Sequence, residues 1–183
     1  MSRIRIIGGA WRSRLLEVAA VPGLRPTPDR VRETLFNWLG QDLDGLTCLD
    51  LFAGTGVLGF EAASRGAARV TMVERDVKAL ARLEANAARL EASNIEIRRA
   101  DALDFLRETA RRKAHAFDLV FLDPPYRQGW LARVEPLLGE VLSEAALLYV
   151  EAEHPVERLD SRRARRSGRA GRVFYQLLEP DSS

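Results

Sequence analysis

Short apolar runs alternate with helix-like stretches through the middle of the chain, and this alternation limits the fold more than any other feature of the sequence. Each run is five to seven residues long, and each intervening stretch carries apolar residues at helical spacing. Such an alternation predicts a parallel sheet with helices on both faces. The predicted strands cover residues 46–51, 70–74, 94–98, 117–122 and 145–151, and the predicted helices cover residues 57–65, 77–90, 102–112 and 130–142.

The two ends of the chain add further elements to this pattern. Residues 162–166 and 173–178 predict a C-terminal antiparallel hairpin, and residues 3–9 and 14–18 predict an N-terminal one. Thr27 and Pro28 predict the N-cap and first position of a helix that ends near residue 39. We therefore expect an α/β, Rossmann-like fold with a mostly parallel seven-stranded sheet, a C-terminal antiparallel hairpin and a short N-terminal extension. A basic N-terminal hairpin and helix would occupy residues 1–40, and the catalytic domain would occupy residues 41–179.

A glycine-rich turn follows the first predicted strand of the sheet. Gly54, Gly56 and Gly59 let a backbone approach a ligand closely, and their spacing also satisfies the dinucleotide-binding pattern. The turn alone leaves a nicotinamide dinucleotide and S-adenosylmethionine as alternatives, and a tight turn without a ligand as a third. Asp50 precedes the glycines, and a carboxylate there repels a pyrophosphate but attracts an ammonium group. This favours S-adenosylmethionine.

Four acidic residues stand at or just after the ends of predicted strands: Asp50, Glu74, Asp101 and Asp123. Because ligands of such sheets bind beyond the carboxyl ends of the strands, we expect these side chains to converge on one rim. Glu74 can accept two hydrogen bonds from the hydroxyls of a ribose. Asp101 and Ala102 would lie beside the adenine, although Asp101 is also a candidate helix N-cap. A surface ion pair with Arg75 or Lys78 is the alternative for Glu74.

The tetrapeptide Asp123-Pro124-Pro125-Tyr126 is the most specific catalytic signal. Its two prolines fix φ, remove two backbone donors and hold the preceding residues extended. The resulting rim presents only acceptors, which suits a substrate amine with two hydrogens. Asp123 and the Pro124 carbonyl would hold that amine for attack on a methyl group, and Tyr126 would stack on a flipped base. A carboxylate matches the two adjacent donors of guanine better than the donor–acceptor pair of adenine.

Basic residues are concentrated at the two ends of the chain. The net charge is only +2, but residues 1–40 carry +4 and residues 158–172 carry +6. Basic ends on either side of an acidic centre indicate a polyanionic partner, with a merely solvated surface as the alternative. The residues predicted to contact RNA are Arg3, Arg5, Arg12, Arg14, Arg25, Arg32 and Asn37.

The sequence also limits where the protein acts. Cys48 is the single cysteine, so no internal disulfide forms, and we expect it to be a small buried residue. Residues 2–7 lack the apolar core of a secretory signal, and no apolar run is long enough to span a membrane. We expect a cytoplasmic protein, a monomer, with neither a membrane partner nor a metal.

Taken together, these motifs resemble the ribosomal RNA small subunit methyltransferase D family. The resemblance rests on residues 5–9, on residues 25–27 and 32–37, on the glycine turn with Asp50, on Glu74 and on residues 123–126. It implies a class I S-adenosylmethionine-dependent methyltransferase, with residues 41–179 as the methyltransferase domain and residues 1–40 as an RNA-contacting extension. It also implies transfer of a methyl group to the exocyclic N2 amine of a guanine in 16S rRNA, the small-subunit rRNA. This RNA could be free or part of an assembling 30S subunit.

The resemblance adds residue assignments to those from the pattern. The residues expected to bind the cofactor are Asp50, Phe52, Ala53, Gly54, Thr55, Gly56, Glu74, Arg75, Asp101, Ala102 and Asp123, and the catalytic residues are Asp123, Pro124, Pro125 and Tyr126. Because other amino-methylating families share the tetrapeptide, DNA adenine, tRNA and a protein glutamine are alternative targets. A nicotinamide-dependent oxidoreductase and an RNA-binding protein without turnover are alternatives of other classes.

Overall fold

A computed structural model describes residues 2–113 and 117–181, and within them two sheets and five helices. The elements in chain order are β1 (Ser2–Arg5), β2 (Leu15–Val18), α1 (Asp29–Trp38), β3 (Thr47–Asp50), α2 (Val57–Ser64), β4 (Arg69–Glu74), α3 (Val77–Arg89), β5 (Ile95–Arg99), α4 (Ala102–Arg112), β6 (Phe117–Leu122), α5 (Trp130–Leu138), β7 (Leu142–Ala152), β8 (Arg158–Leu159), β9 (Arg162–Ala170) and β10 (Val173–Pro180).

The main sheet has the strand order β5-β4-β3-β6-β7-β10-β9-β8. The strands from β5 to β7 are parallel, and β10, β9 and β8 extend the sheet in antiparallel fashion. The predicted α/β class, the mostly parallel sheet and the C-terminal antiparallel hairpin are confirmed. The sheet has eight strands rather than seven because Arg158–Leu159 adds a two-residue strand at the edge, too short to show an apolar pattern.

The strand order reverses beside β3, and this reversal positions the site. From β3 the chain runs outwards through β4 to β5, and it then returns to β6 on the other side of β3. The carboxyl ends of β3 and β6 therefore stand next to each other at the switch point. In open α/β sheets, this crevice is where ligands bind.

Alternating residues of the central strands supply two hydrophobic layers. Cys48 and Phe121 lie in the layer that also contains the N-terminal hairpin, α1 and α2, whereas Leu49 and Val120 pack against α4 and α5 on the opposite face. Cys48 is fully buried, as predicted, and burial together with the nearby charge of Asp118 raises the pKa of its thiol to about 12.

The N-terminal strands β1 and β2 pair with each other in a separate two-stranded sheet. Ile4, Ile6 and Leu16 are buried in the same layer as α1 and α2, so the extension shares its core with the main sheet. Gly9 fits tightly against the end of α2: its φ is +76°, and a Cβ at this position would lie 1.9 Å from the Ser64 carbonyl oxygen. This close approach requires glycine.

For two of the predicted helix ends that differ from the structure, specific hydrogen bonds explain the difference. The N-cap of α1 is Pro28 rather than Thr27, because the Thr27 hydroxyl donates to Glu151 Oε1 (2.8 Å) and is therefore engaged elsewhere. Helix α5 ends at Leu138, four residues before the predicted end, because the chain turns there into β7 with a hydrogen bond from Val141 N to the Leu138 carbonyl (3.0 Å). Within residues 2–113 and 117–181, no helix combines the length and the apolar character needed to cross a membrane.

Candidate active site

A cavity of about 1520 Å³ lies beyond the carboxyl ends of β3, β4, β6 and β7. Residues 21–28 and the turn between β9 and β10 form its outer wall. The predicted convergence of the four acids is confirmed, because Asp50, Glu74, Asp101 and Asp123 all line this cavity. Topology explains the arrangement, since each acid ends a parallel strand of one sheet or follows it within two residues.

Asp50 is a buried carboxylate with one oxygen available to a ligand. Its Oδ2 accepts a hydrogen bond from Gly59 N (3.1 Å), and no donor to Oδ1 is found among the described residues. The pKa of Asp50 is raised to about 7, mainly by burial and also by the charges of Glu74 and Glu151, whereas the hydrogen bond from Gly59 lowers it. A cationic group bound here would compensate the buried negative charge.

Backbone donors fix the Glu74 carboxylate at the end of β4. Its Oε2 accepts from Gly54 N (2.8 Å), and its Oε1 accepts from Arg75 N (2.8 Å) and Asp76 N (2.7 Å). The side chain is thus held by the backbone rather than by a surface ion pair. Asp101 accepts from Leu103 N (2.9 Å) and is the N-cap of α4, so the predicted capping role is confirmed.

The glycine turn brings its backbone to the cavity. Gly54 has a φ of +54° and lines the cavity together with Phe52, Ala53 and Thr55. Gly56 does not line it: its N–H donates to the Ala53 carbonyl (2.7 Å), and a Cβ there would lie 2.4 Å from a methyl group of Leu83. The close packing against α3 accounts for the glycine at this position, and contact of Gly56 with the cofactor stays a prediction.

One aromatic pair extends the wall next to the turn. The rings of Phe52 and Trp130 meet edge to face with their centroids 5.3 Å apart, and Trp130 also lines the cavity. The guanidinium carbons of Arg75 and Arg133 lie 5.9 Å and 4.1 Å from the centroid of the Trp130 ring. Arg75, Ala102 and this pair therefore form a partly apolar section of the cavity wall.

The tetrapeptide at residues 123–126 follows β6, and all four of its residues line the cavity. Among the described residues, no donor reaches either carboxylate oxygen of Asp123 or the carbonyl oxygen of Pro124. Burial and the charges of Glu151 and Asp50 raise the pKa of Asp123 well above its usual value. Tyr126 stays 43% exposed at the mouth of the cavity. The rim consequently presents unused acceptors beside an exposed aromatic ring.

Glu151 was not predicted as a site residue; it lies in the buried C-terminal half of β7, beside Asp123. Glu151 is 5% exposed, lines the cavity, and accepts at Oε1 from the hydroxyls of Thr27 (2.8 Å) and Tyr149 (2.9 Å). Burial raises its pKa, and the two hydroxyl groups act in the opposite direction. Its position at the end of a predicted strand was the available signal, the same one that identified Asp50 and Asp123.

Six of the seven residues predicted to contact RNA fall into three groups. Arg25 is exposed and lines the main cavity, and Arg12 and Asn37 line a separate hollow of about 460 Å³. Arg3, Arg5 and Arg14 are exposed on the N-terminal hairpin, outside the main cavity.

The prediction for Arg32 is wrong, because the side chain is fully buried. Its Nη1 donates to Glu61 Oε2 (3.0 Å) and to the Arg5 carbonyl (2.9 Å), and its Nε donates to the Thr27 carbonyl (3.2 Å). Arg32 holds α1 against α2 and is inaccessible to RNA.

Comparison with known proteins identifies the family. The family model described as "Conserved hypothetical protein 95" matches residues 4–179. Ribosomal RNA small subunit methyltransferase D of Escherichia coli strain K12 is 48% identical over 153 residues, covering 82% of this chain and 75% of that protein. The chain belongs to this family. The enzyme of the same name from Haemophilus influenzae is 46% identical over 154 residues, covering 82% of this chain and 79% of that protein.

A solved structure supports the assignment to the methyltransferase D family. The Escherichia coli protein yhhF superposes with a TM-score of 0.87 at 43% identity, and the match covers 100% of both chains. The fold is the class I S-adenosylmethionine-dependent methyltransferase fold, as predicted.

The acceptor set of this methyltransferase D family member fits S-adenosylmethionine. The free oxygen of Asp50 suits the ammonium group, and the remaining lone pairs of the fixed Glu74 carboxylate suit ribose hydroxyls. The wall of Phe52, Ala102 and Trp130 suits a planar base. Across residues 2–113 and 117–181, no three His, Cys, Asp or Glu side chains form a group that could hold a metal ion.

Proposed function

We propose that the protein transfers a methyl group from S-adenosylmethionine to the exocyclic N2 amine of a guanine in small-subunit rRNA. The observation that carries this proposal is the pair of unused acceptors at the end of β6, the Asp123 carboxylate and the Pro124 carbonyl, which line the same cavity as Asp50 and Glu74. Membership of an rRNA methyltransferase family supports the substrate class.

In this proposal, the acidic cleft and the glycine turn hold the cofactor. Asp50 faces the ammonium group, Glu74 faces the ribose, and Asp101 with Ala102 lies beside the adenine. Phe52, Ala53, Gly54, Thr55 and Arg75 complete the wall, and Asp123 closes it towards the substrate. When bound, S-adenosylmethionine supplies an electrophilic methyl group on a sulfonium. The residues of the chain therefore have to position a nucleophile and exclude water.

Asp123 and Pro124 act on the target amine. The lone pair of an aromatic amine is delocalised into the ring, which makes the nitrogen a weak nucleophile. When the carboxylate and the carbonyl accept its two hydrogens, the nitrogen is drawn towards a tetrahedral geometry with its lone pair available. Asp123 is also placed to take the proton that the amine releases on alkylation, and its raised pKa makes it a better base.

Tyr126 and the basic surfaces provide RNA contacts in this proposal. The exposed Tyr126 ring stacks on the flipped guanine, and Pro125 holds the rim rigid beside it. Residues 1–40 serve as the RNA-contacting extension of the methyltransferase domain at residues 41–179, and the protein acts as a monomer. The proposed contacts from this extension are Arg3, Arg5, Arg12, Arg14, Arg25 and Asn37.

A substitution at Asp123 tests the proposal. We expect Asp123→Ala to lower the rate of methyl transfer to small-subunit rRNA by about 100-fold or more, because the amine loses its anionic acceptor. Binding of S-adenosylmethionine, measured by calorimetry, should change little. Asp104→Ala is the control, since Asp104 is an exposed acid on α4, outside the cavity. Full turnover by Asp123→Ala would remove this residue from the mechanism.

Product analysis decides the target. Nuclease digestion and mass spectrometry of the methylated RNA should give N2-methylguanosine. Methyladenine or a methylated tRNA would redirect the proposal to another nucleic acid, and binding of NAD without binding of S-adenosylmethionine would support an oxidoreductase instead.

A further inference from the structure

Two carboxylates lie side by side at the carboxyl ends of the neighbouring strands β6 and β7, in the cavity wall. Leu122 of β6 pairs with Val150 of β7 in parallel register, and the next residues of the two strands are Asp123 and Glu151. Adjacent strands lie about 4.8 Å apart, so these two side chains start close together at the same edge of the sheet. Both line the main cavity. Glu151 is thus a second acid beside the proposed acceptor of the target amine.

The two oxygens of Glu151 have different surroundings. Oε1 accepts from Thr27 Oγ1 (2.8 Å) and from the Tyr149 hydroxyl (2.9 Å). Oε2 has no donor within residues 2–113 and 117–181, although the whole residue is only 5% exposed. The two hydroxyl groups fix the orientation of the carboxylate, and Oε2 is left as an oriented acceptor for a ligand.

A pair of acids in this position needs a ligand that brings two donors. Two carboxylates side by side in a partly buried site repel each other unless hydrogen-bond donors stand between them. The Watson–Crick edge of guanine carries two adjacent donors, the ring N1–H and the exocyclic amine. Adenine presents an acceptor at N1 on that edge, and an acceptor facing a carboxylate is repelled.

We propose that Glu151 determines the specificity for guanine by accepting the N1–H of the target base at Oε2. This inference rests on the proposed function, because it assigns the second donor of the same base whose amine is held by Asp123 and Pro124. Thr27 and Tyr149 are positioning residues, since they act on the base only through the orientation of Glu151.

The variant Glu151→Gln converts the acceptor into a donor without changing its size. The hydroxyls of Thr27 and Tyr149 both donate to Oε1 in the wild type, so we expect the amide oxygen to take that place and the NH₂ group to face the cavity. This NH₂ group would face the N1–H of guanine, and two donors cannot form a hydrogen bond with each other. It matches 2-aminopurine, which keeps the reacting amine but has an acceptor at N1.

The experiment compares two substrates with three proteins. After the target nucleotide has been mapped, small-subunit rRNA is prepared with guanine or 2-aminopurine at that position, and assembled with ribosomal proteins if the wild-type enzyme requires them. Methyl transfer is measured for the wild type, for Glu151→Gln and for Glu153→Gln. Glu153 is the matched control, because it is a partly exposed acid at the rim of the cavity two residues further along the chain.

We expect the wild type to prefer guanine by about 10- to 100-fold in kcat/KM, and Glu151→Gln to lose or reverse that preference. Glu153→Gln should keep the wild-type ratio. Equal loss on both substrates in Glu151→Gln would assign Glu151 a structural role and overturn the inference. Equal use of the two substrates by the wild type would overturn it even if Glu151→Gln does not fold. A wild type that forms no N2-methylguanosine would instead refute the proposed function.

Discussion

At the scale of single residues, Asp50 gives the apo protein a distinctive pH dependence. Its pKa is raised from 3.8 to about 7, mainly by burial. The folded state therefore binds the proton more tightly than the unfolded chain does. This contribution to stability is complete below about pH 3.8 and is lost as the pH rises through about 7.

Replacing Asp50 with asparagine should remove this dependence. Between pH 5 and pH 8, we expect the free energy of unfolding of the wild type to fall by about 2–3 kcal/mol more than that of Asp50→Asn. Urea denaturation of the cofactor-free proteins at the two pH values measures the difference. Parallel changes in the two proteins would mean that Asp50 is ionised in the folded state throughout this range.

Single residues of the site differ in how far their surroundings can be predicted from the sequence. Asp50 and Asp123 could be predicted because a parallel sheet brings the ends of its strands together, and Glu151 could have been found by the same rule. The burial of Arg32 could not, because its partner Glu61 lies 29 residues away in another helix. Nothing local distinguishes such an arginine from a surface one.

At the scale of elements, Glu61 joins the N-terminal extension to the main sheet. This fully buried residue of α2 accepts from Ile7 N (2.9 Å) and Gly8 N (2.8 Å) and pairs with Arg32 (3.0 Å) and Arg65 (3.1 Å). The extension, α1 and α2 thus meet at a single carboxylate. Its charge is fully compensated only while all of these elements are in place, because Arg65 at the end of α2 supplies just one of its partners.

We expect Arg32→Leu to destabilise the protein by about 3–5 kcal/mol, because it leaves part of a buried ion pair without its partner. Arg30→Leu is the matched control: Arg30 is an exposed arginine of the same helix, and its loss should cost less than about 0.5 kcal/mol. Chemical denaturation of both variants measures the difference. Similar stability of the two variants would contradict the structural role of Arg32.

The presence and type of each element could be predicted from the sequence more accurately than the residues at which the element begins and ends. The apolar runs predicted β3, β4, β6 and the buried part of β7, because strands covered on both faces are continuously apolar. The start of α1 was misplaced by one residue, since Thr27 bonds to Glu151 across 124 positions of sequence. The residues around Thr27 therefore do not indicate that its side chain bonds to Glu151 instead of capping the helix.

At the scale of the whole molecule, the uneven charge makes RNA binding dependent on salt. The two basic ends, +4 and +6, lie on either side of a centre that is acidic on balance. Each arginine that touches a phosphate should add about one to the slope of log affinity against log salt. We expect Arg25→Ala, at the mouth of the cavity, to lower that slope by about one.

Arg107→Ala is the control for this measurement, because Arg107 pairs with Asp104 on α4 (3.2 Å), outside the cavity. Its slope should equal that of the wild type. Filter binding with small-subunit rRNA at several salt concentrations gives the slopes. If Arg25→Ala leaves the slope unchanged, Arg25 makes no phosphate contact.

The single thiol of the chain gives the molecule an internal reporter. Cys48 lies in the middle of β3, between β4 and β6, with no exposed surface and a pKa of about 12. An alkylating reagent reaches this sulfur only when the centre of the sheet opens, because the reactive thiolate forms readily only in water. The labelling rate of the unmodified protein therefore measures how often this central strand separates from its neighbours, and bound cofactor should slow that rate in proportion to the stability it adds.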